Sequence, residues 1–399
     1  MLQLRRINIS GFKAVDRFQM DVGPGLTLLV GMNGSGKSSI LQAFAFARFL
    51  IEGRPQSFFD DRFWTRQDFK FRSVPRGKGT VIDLGLRFAE TRWGAIRWDV
   101  QWGLNLGRLF SEKIRVRASE ESEIETIYEF TAKDGGAFGN EKVPGLSVVG
   151  SLLEGVAGFE ASERDAEILR SVIEWAEGIR SLELLSPAAM KGGTRLSPGD
   201  MGMKGDRLAG FLAALSAEQK SKVVQRLSQF YPLENFDTVR KRAGWIDLRV
   251  SERFTNFGDV RSIHMSDGFM RLLALCAIPE MGDGVSLILL DEIEDGIEPH
   301  ILSRVIDLIR TESKAQILAT SHSPLLANSI SVDNIRFISR NSDGRTFAAD
   351  ASEMPTFSEG SEYLGPGELW ANTEMNVLHQ EALRESSKDD GLLEGGGNL

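Results

Sequence analysis

Five apolar or β-branched residues, Leu26–Val30, run straight into Gly31-Met32-Asn33-Gly34-Ser35-Gly36-Lys37-Ser38-Ser39. That order predicts a buried strand, a tight glycine turn and a helix entered at Ser38. Backbone N–H groups converging at a helix N-terminus hold clustered phosphate oxygens, and the helix dipole favours the anion. Gly31, Gly34 and Gly36 let the backbone curl that tightly without Cβ clashes. Lys37 is expected to reach the β- and γ-phosphates of a triphosphate and the Ser38 hydroxyl to complete a Mg²⁺ shell. The expected binding set is Gly31, Asn33, Gly34, Ser35, Gly36, Lys37, Ser38 and Ser39.

A second half of the site follows much later. Residues 285–290 form a continuous apolar run ending in Asp291-Glu292. A strand buried on both faces that delivers carboxylates at its C-terminal end is where α/β sheets carry catalytic groups. Asp291 is expected to hold Mg²⁺ through its water shell, opposite Ser38. Glu292 is expected to polarise an attacking water. The run Glu294-Asp295-Gly296-Ile297-Glu298-Pro299 then turns into a helix with Pro299 at its first position. Another apolar strand, 315–319, ends at Thr320-Ser321-His322. Of the four histidines, His322 alone stands at such a strand end, where an imidazole can bond a γ-phosphate and sense its loss.

In Met265-Ser266-Asp267-Gly268, Ser266 reads as an N-cap and Gly268 keeps the first turn of an apolar helix open. One triphosphate rarely needs two such termini, so Ser266 and Gly268 are expected to face the nucleotide of another subunit. Cys276, the only cysteine, lies within that helix and reads as a small core residue.

The rest of the chain divides around these motifs. Residues 1–150 are expected to form an N-terminal lobe with the phosphate loop and an antiparallel meander over 80–130, in which Trp93, Trp98 and Trp102 are packing residues. Residues 151–243 read as a helical insert, with a capping box at Ser216-Ala217-Glu218-Gln219. A strand over 245–250 is expected to return the chain to the sheet, opening a C-terminal lobe, 244–375, and a flexible tail follows over 376–399. Over 52–78, aromatics such as Phe58, Phe59, Phe63, Trp64, Phe69 and Phe71 interleave with Arg62, Arg66, Lys70, Arg72, Arg76 and Lys78. Such mixing suits single-stranded nucleic acid or an acidic partner; the plainer reading, a lid over the first helix with solvated cations, is preferred. The Arg240-Lys241-Arg242 run reads as a solvated turn.

A net charge of −9 argues against a surface that coats nucleic acid everywhere and leaves room for a local basic groove. No stretch is long and apolar enough for a membrane span, and with one cysteine and no signal-like start the expectation is a cytoplasmic, disulfide-free protein.

Taken together, these motifs resemble the ABC-type ATPases of the SMC, RecF and recombination-repair group. Residues 31–38 match Walker A, 287–292 Walker B with its following glutamate, 294–299 the D-loop, and His322 the switch histidine. Met265–Gly268 stands where the signature motif belongs, with Ser266-Asp267-Gly268 in place of the usual Ser-Gly-Gly. The look-alikes extend to compact bacterial AAA-family ATPases kin to the ATPase half of OLD-type nucleases, many carried in anti-phage defence cassettes. The opening 7–12, the run Leu196-Ser197-Pro198 and the closing 364–370 are similar to that group. Gln56, Gln67 and Gln101 are candidates for the Q-loop glutamine.

The resemblance implies an α/β P-loop fold with a mixed sheet, and a homodimer sandwiching two ATP and Mg²⁺. Each site would join Lys37, Ser38, Asp291, Glu292 and His322 of one chain to Ser266 and Gly268 of the other. The expected function is a Mg-dependent ATPase whose closure gates a co-encoded effector such as a nuclease or toxin, because the residues after His322 are too few for a further domain of the usual size. The alternatives are a RecF-like clamp on DNA in repair, or a scaffold glued by ATP with little turnover.

Overall fold

The computed structural model describes residues 1–70, 81–119, 121–183, 185–254, 258–360 and 363–390. In chain order, β1 (Gln3–Ser10), β2 (Phe18–Asp21) and β3 (Leu26–Val30) lead into α1 (Lys37–Ile51) and α2 (Pro55–Asp60). The meander follows as β4 (Val81–Thr91), β5 (Gly94–Gly103), β6 (Arg108–Arg117), β7 (Glu125–Thr131), β8 (Gly135–Phe138) and β9 (Glu141–Val143). Next come α3 (Leu153–Val156), α4 (Glu163–Glu177), β10 (Ile179–Leu182), α5 (Pro187–Met190), α6 (Leu208–Ala214) and α7 (Ala217–Leu227). After these lie β11 (Leu233–Arg240), β12 (Ile246–Glu252), β13 (Val260–Arg261), α8 (Asp267–Ala277), β14 (Leu287–Leu290), α9 (Pro299–Glu312), β15 (Gln316–Thr320) and α10 (Pro324–Ala327). The chain closes with β16 (Ile335–Arg340), β17 (Thr346–Asp350), α11 (Pro355–Gly360), α12 (Pro366–Asn372) and α13 (Met375–Asp390).

The strands form three sheets. β2-β1-β4-β5-β6-β7-β8-β9 is antiparallel throughout, so the expected meander exists and extends the N-terminal hairpin. The central sheet, β10-β14-β15-β3-β16-β17, is parallel except at β16–β17. β3, β14 and β15 are buried on both faces, and alternate residues serve alternate layers. Leu29, Leu287, Leu289, Leu318 and Ile338 pack with α1, α4 and the antiparallel sheet. Leu28, Val30, Ile288, Leu290, Ile317 and Ala319 pack with α8 and α9. The two sheets are joined by buried Gln316, whose side chain accepts from Leu4 N (2.8 Å) and donates to Leu4 O (2.9 Å) and Gly23 O (2.7 Å).

Three expectations need correction. The segment 151–243 is not a purely helical insert: after Gly178 ends α4, residues 179–182 become a strand paired in parallel with β14. Four residues are too few to display a period, and Ile179 reads as one more apolar position of the preceding helix. The strand near 245–250 does not return to the phosphate-loop sheet; β12 pairs with β11 and β13 in a separate three-stranded sheet. Residues 376–390 are not a flexible tail but part of α13, where Leu378 and Ala382 are fully buried and His379 Nδ1 meets Ser339 Oγ at 2.8 Å. Residues 391–399 lie outside the described residues.

The aromatic stretch is a lid, as preferred. Phe58, Phe59 and Phe69 are fully buried and pack edge to face with Phe12 and Phe46. Its cations are not all solvated, however: Arg62 is buried in an ion pair with Glu183 and lies 4.0 Å from the Phe58 ring centroid. Phe71, Arg72, Arg76 and Lys78 fall outside the described residues. Trp98 and Trp102 are core, and Cys276 is buried, its thiol pushed up to about 12 by burial. The capping box at Ser216 and Gln219 is formed. Among the described residues, no helix is long and apolar enough to cross a membrane.

Candidate nucleotide site

Because β14, β15 and β3 are parallel neighbours, the loops that follow them leave the same end of the sheet. Leu290 pairs with Ala319, and Thr320 with Leu29. The sheet thereby gathers Gly31 to Lys37, Asp291 to Glu294 and Ser321-His322 at one place, although more than 250 residues separate the first from the last.

The glycine loop has the curl its sequence predicts. Gly31, Gly34 and Gly36 all have positive φ, at 141°, 75° and 108°. A Cβ on Gly31 would stand 2.1 Å from Ile338 O, and one on Gly36 2.2 Å from Thr346 Oγ1. Gly34 has open space around it, so its glycine answers to the dihedral alone. Lys37, the first residue of α1, is buried and spans the loop: its Nζ donates to Gly31 O at 2.9 Å and Met32 O at 3.0 Å. Burial lowers its pKa to about 8, against the opposing pull of Asp291, Glu292 and Glu294. Ser38 and Ser39 are half-buried on the first turn of α1, and Asn33 is exposed at the rim.

Thr320 Oγ1 joins the two acidic positions, donating to the Asp291 carboxylate and accepting from Glu292 N at 2.8 Å. Glu292 itself sits at φ 47°, left-handed backbone that costs a non-glycine residue of order 1–2 kcal/mol. Glu294 accepts from His322 N, which ties the loop after β14 to the loop after β15. The imidazole of His322 is held below its ordinary pKa, first by burial and then by Lys37, with Glu294, Glu292 and Asp291 opposing.

The fit of a triphosphate and Mg²⁺ can be tested on these atoms. Two buried oxygens, Ser35 Oγ and Glu294 Oε2, have no hydrogen-bond partner. The loop is a cradle that a Cβ at Gly31 or Gly36 would obstruct. Hydroxyl and carboxylate oxygens at Ser38 and Asp291 are the hard donors Mg²⁺ takes, and Mg²⁺ needs only one or two of them from protein. The residues fit the group.

Ser266 and Gly268 are placed differently. Ser266 caps α8, its Oγ accepting from Phe269 N at 3.2 Å, and Ser266 and Asp267 are exposed. Gly268 packs against the loop after β14: a Cβ there would lie 2.7 Å from Gly296 O. Arg271 pairs with Asp295, and Lys191 Nζ with Asp267 Oδ1 at 2.6 Å. Among the described residues, no hydrogen bond or ion pair joins this helix start to the phosphate loop of its own chain. Of the three glutamines considered, Gln56 bonds Asp60, Gln101 bonds Asp83 and Ser111, and Gln67 is exposed on a short 3-10 turn. Sequence reading missed Thr320 and Glu294. Thr320, the polar residue closing an apolar strand, carried a faint signal; Glu294 was read only as the start of the D-loop-like run 294–299, with no bond to the His322 loop foreseen.

Comparisons with known proteins bear on the fold that carries this site. Residues 6–170 match the family model "AAA domain", and residues 206–328 match "AAA domain, putative AbiEii toxin, Type IV TA system". A stretch of 45 residues is 47% identical to the DNA replication and repair protein RecF of Shewanella halifaxensis, and equally to that of Shewanella amazonensis. That match spans 11% of this chain and only 12% of either relative. Among solved structures, the chain is similar to an SmcHead bound to the C-winged helix domain of ScpA, at 14% identity and TM-score 0.55, covering 87% of this chain and 97% of the other. It is also similar to the Smc head domain with an extended coiled coil from Pyrococcus furiosus, bound to the C-terminal domain of ScpA, at 13% identity and TM-score 0.53, covering 91% and 100%. At such identities the structures establish the fold. The chain thus has the fold of the SMC head domains, an ABC-type ATPase fold, and matches AAA-domain models over residues 6–170 and 206–328.

Proposed function

We propose that two copies of this chain close head to tail on two ATP molecules and hydrolyse them, and that closure gates a partner effector. The observation that carries the reading is the split of the motifs. Lys37, Asp291, Glu292 and His322 meet at one end of the sheet, whereas Ser266 and Asp267 at the start of α8 are exposed and, among the described residues, make no hydrogen bond to the phosphate loop of their own chain. A second copy would supply Ser266 and Gly268 to complete each site.

In this reading the loop N–H groups and Lys37 hold the phosphates. Ser38 and Asp291 hold Mg²⁺, which supplies charge neutralisation at the phosphate oxygens. Glu292, fixed by the Thr320 bond to its amide, orients water for in-line attack. His322, next to Lys37, offers a hydrogen bond to the γ-phosphate and loses it on hydrolysis. ATP favours the closed pair because it binds that state alone. The toxin–antitoxin description of the model over 206–328 supports an effector-linked role, such as a nuclease or toxin in anti-phage defence. The RecF stretch favours a second reading, a clamp on DNA, which requires DNA binding that weakens steeply with salt.

The test is light scattering of the Glu292→Gln protein with and without Mg-ATP, with phosphate release followed on the parent. The expected outcome is ATP-dependent doubling of mass and loss of release in the variant. A mass indifferent to ATP, with no release from the parent, overturns the composite site.

A further inference from the structure

We infer that Thr346, outside every motif named above, is a positioning residue that sets the direction of the Gly36 N–H in the phosphate loop. The inference rests on the nucleotide role proposed for that loop.

Thr346 opens β17 and is buried at 2% exposure. Its backbone N–H donates to Ala14 O at 2.9 Å, and its Oγ1 donates to Ser35 O at 2.8 Å. In a planar trans peptide the carbonyl and the following N–H point in opposite directions. Fixing Ser35 O on the hairpin side therefore turns Gly36 N–H away from the hairpin, toward the hollow of the loop. The side chain also lies directly under Gly36, where a Cβ would meet Oγ1 at 2.2 Å and Cγ2 at 3.0 Å.

The neighbouring strand acts on the other end of the loop. β16 pairs with β3 through Phe337 and Val30, which brings Ile338 O against Gly31. The β16–β17 hairpin is thus a mould for both ends of the loop, and the hydroxyl of Thr346 is its one side-chain hydrogen bond to the loop backbone among the described residues. Such a bond is made equally to ground and transition states, so it affects binding more than turnover.

The test uses Thr346→Val, which keeps the shape and the backbone bond to Ala14 and removes only the hydroxyl, beside Thr346→Ser, which keeps it. Affinity for a fluorescent ATP analogue and KM and kcat for phosphate release are measured on the full chain. The valine variant is expected to raise Kd and KM about 3–10-fold with kcat within about twofold, and serine to restore the parent values. An unchanged Kd and KM in the valine variant overturns the inference, as does a serine variant no better than valine. Should the valine variant fail to fold, Thr346→Ala, which cannot overpack the site, carries the same readings. A parent protein that binds no nucleotide refutes the proposed function itself, whereas a parent that binds with an indifferent valine variant refutes only the role of Thr346.

Discussion

Lys37 shows how one residue carries a cost that function explains. Burial holds its amine at about 8 although three carboxylates pull the other way. A lysine lowered in the folded state binds fewer protons there than in the unfolded chain, so between about 8 and its ordinary 10.5 stability rises with pH. At pH 7 the charged amine therefore destabilises the nucleotide-free protein. Lys37→Met is expected to abolish phosphate release and yet raise nucleotide-free stability at pH 7 by about 1–2 kcal/mol, the loss of bonds to Gly31 O and Met32 O offsetting part of the gain. Thermal melts at pH 7 and pH 10 check this: the gap between variant and parent should narrow at the higher pH. A variant that melts lower than the parent at pH 7 contradicts it.

At the scale of elements, the phosphate loop is specified twice, by its own glycines and by the hairpin beneath it. The glycines are unequal. Gly31 must be glycine for space and dihedral together, because Ile338 O is 2.1 Å from any Cβ, whereas Gly34 has only its φ of 75° to satisfy. Gly34→Ala should cost about 1–2 kcal/mol of stability and Gly31→Ala about 3 kcal/mol or more, as read by urea denaturation. Equal costs would mean that the hairpin yields. The same hairpin is backed by α13 through Ser339 and His379, with the rings of Phe347 and His379 5.8 Å apart. The C-terminal helix consequently supports the surface against which the loop is formed.

Across the whole molecule, the central sheet and the antiparallel sheet are separate hydrogen-bonded units, and buried Gln316 joins them through two bonds to Leu4 of β1, with a third to Gly23 in the turn before β3. Gln316→Leu keeps the volume and leaves Leu4 N, Leu4 O and Gly23 O without that partner. The expected loss is about 2–4 kcal/mol in chemical denaturation. Nucleotide affinity should be unchanged, since Gln316 stands at the opposite end of β15 from Thr320. A lowered affinity would mean that the joint and the nucleotide loop are coupled through the strand.

What was legible in the chain was local. The phosphate loop, the carboxylate pair after β14, the caps at Ser216 and Ser266 and the meander each depend on residue types within one strand, turn or helix. There, burial period and backbone freedom leave a repeating or positional mark. Even the meeting of Lys37, Asp291 and His322 could be anticipated, because parallel strands deliver their C-terminal ends to one place. Tertiary structure alone decided the entry of β10 into the central sheet, the separate sheet of β11 to β13 and the docking of α13. It also decided the buried Arg62–Glu183 pair, the Thr320 bridge and the seating of Ser35 on Thr346. Each of these is one partner choice across a long stretch of chain, and a single hydrogen bond or ion pair gives neither partner a period or composition by which it can be read.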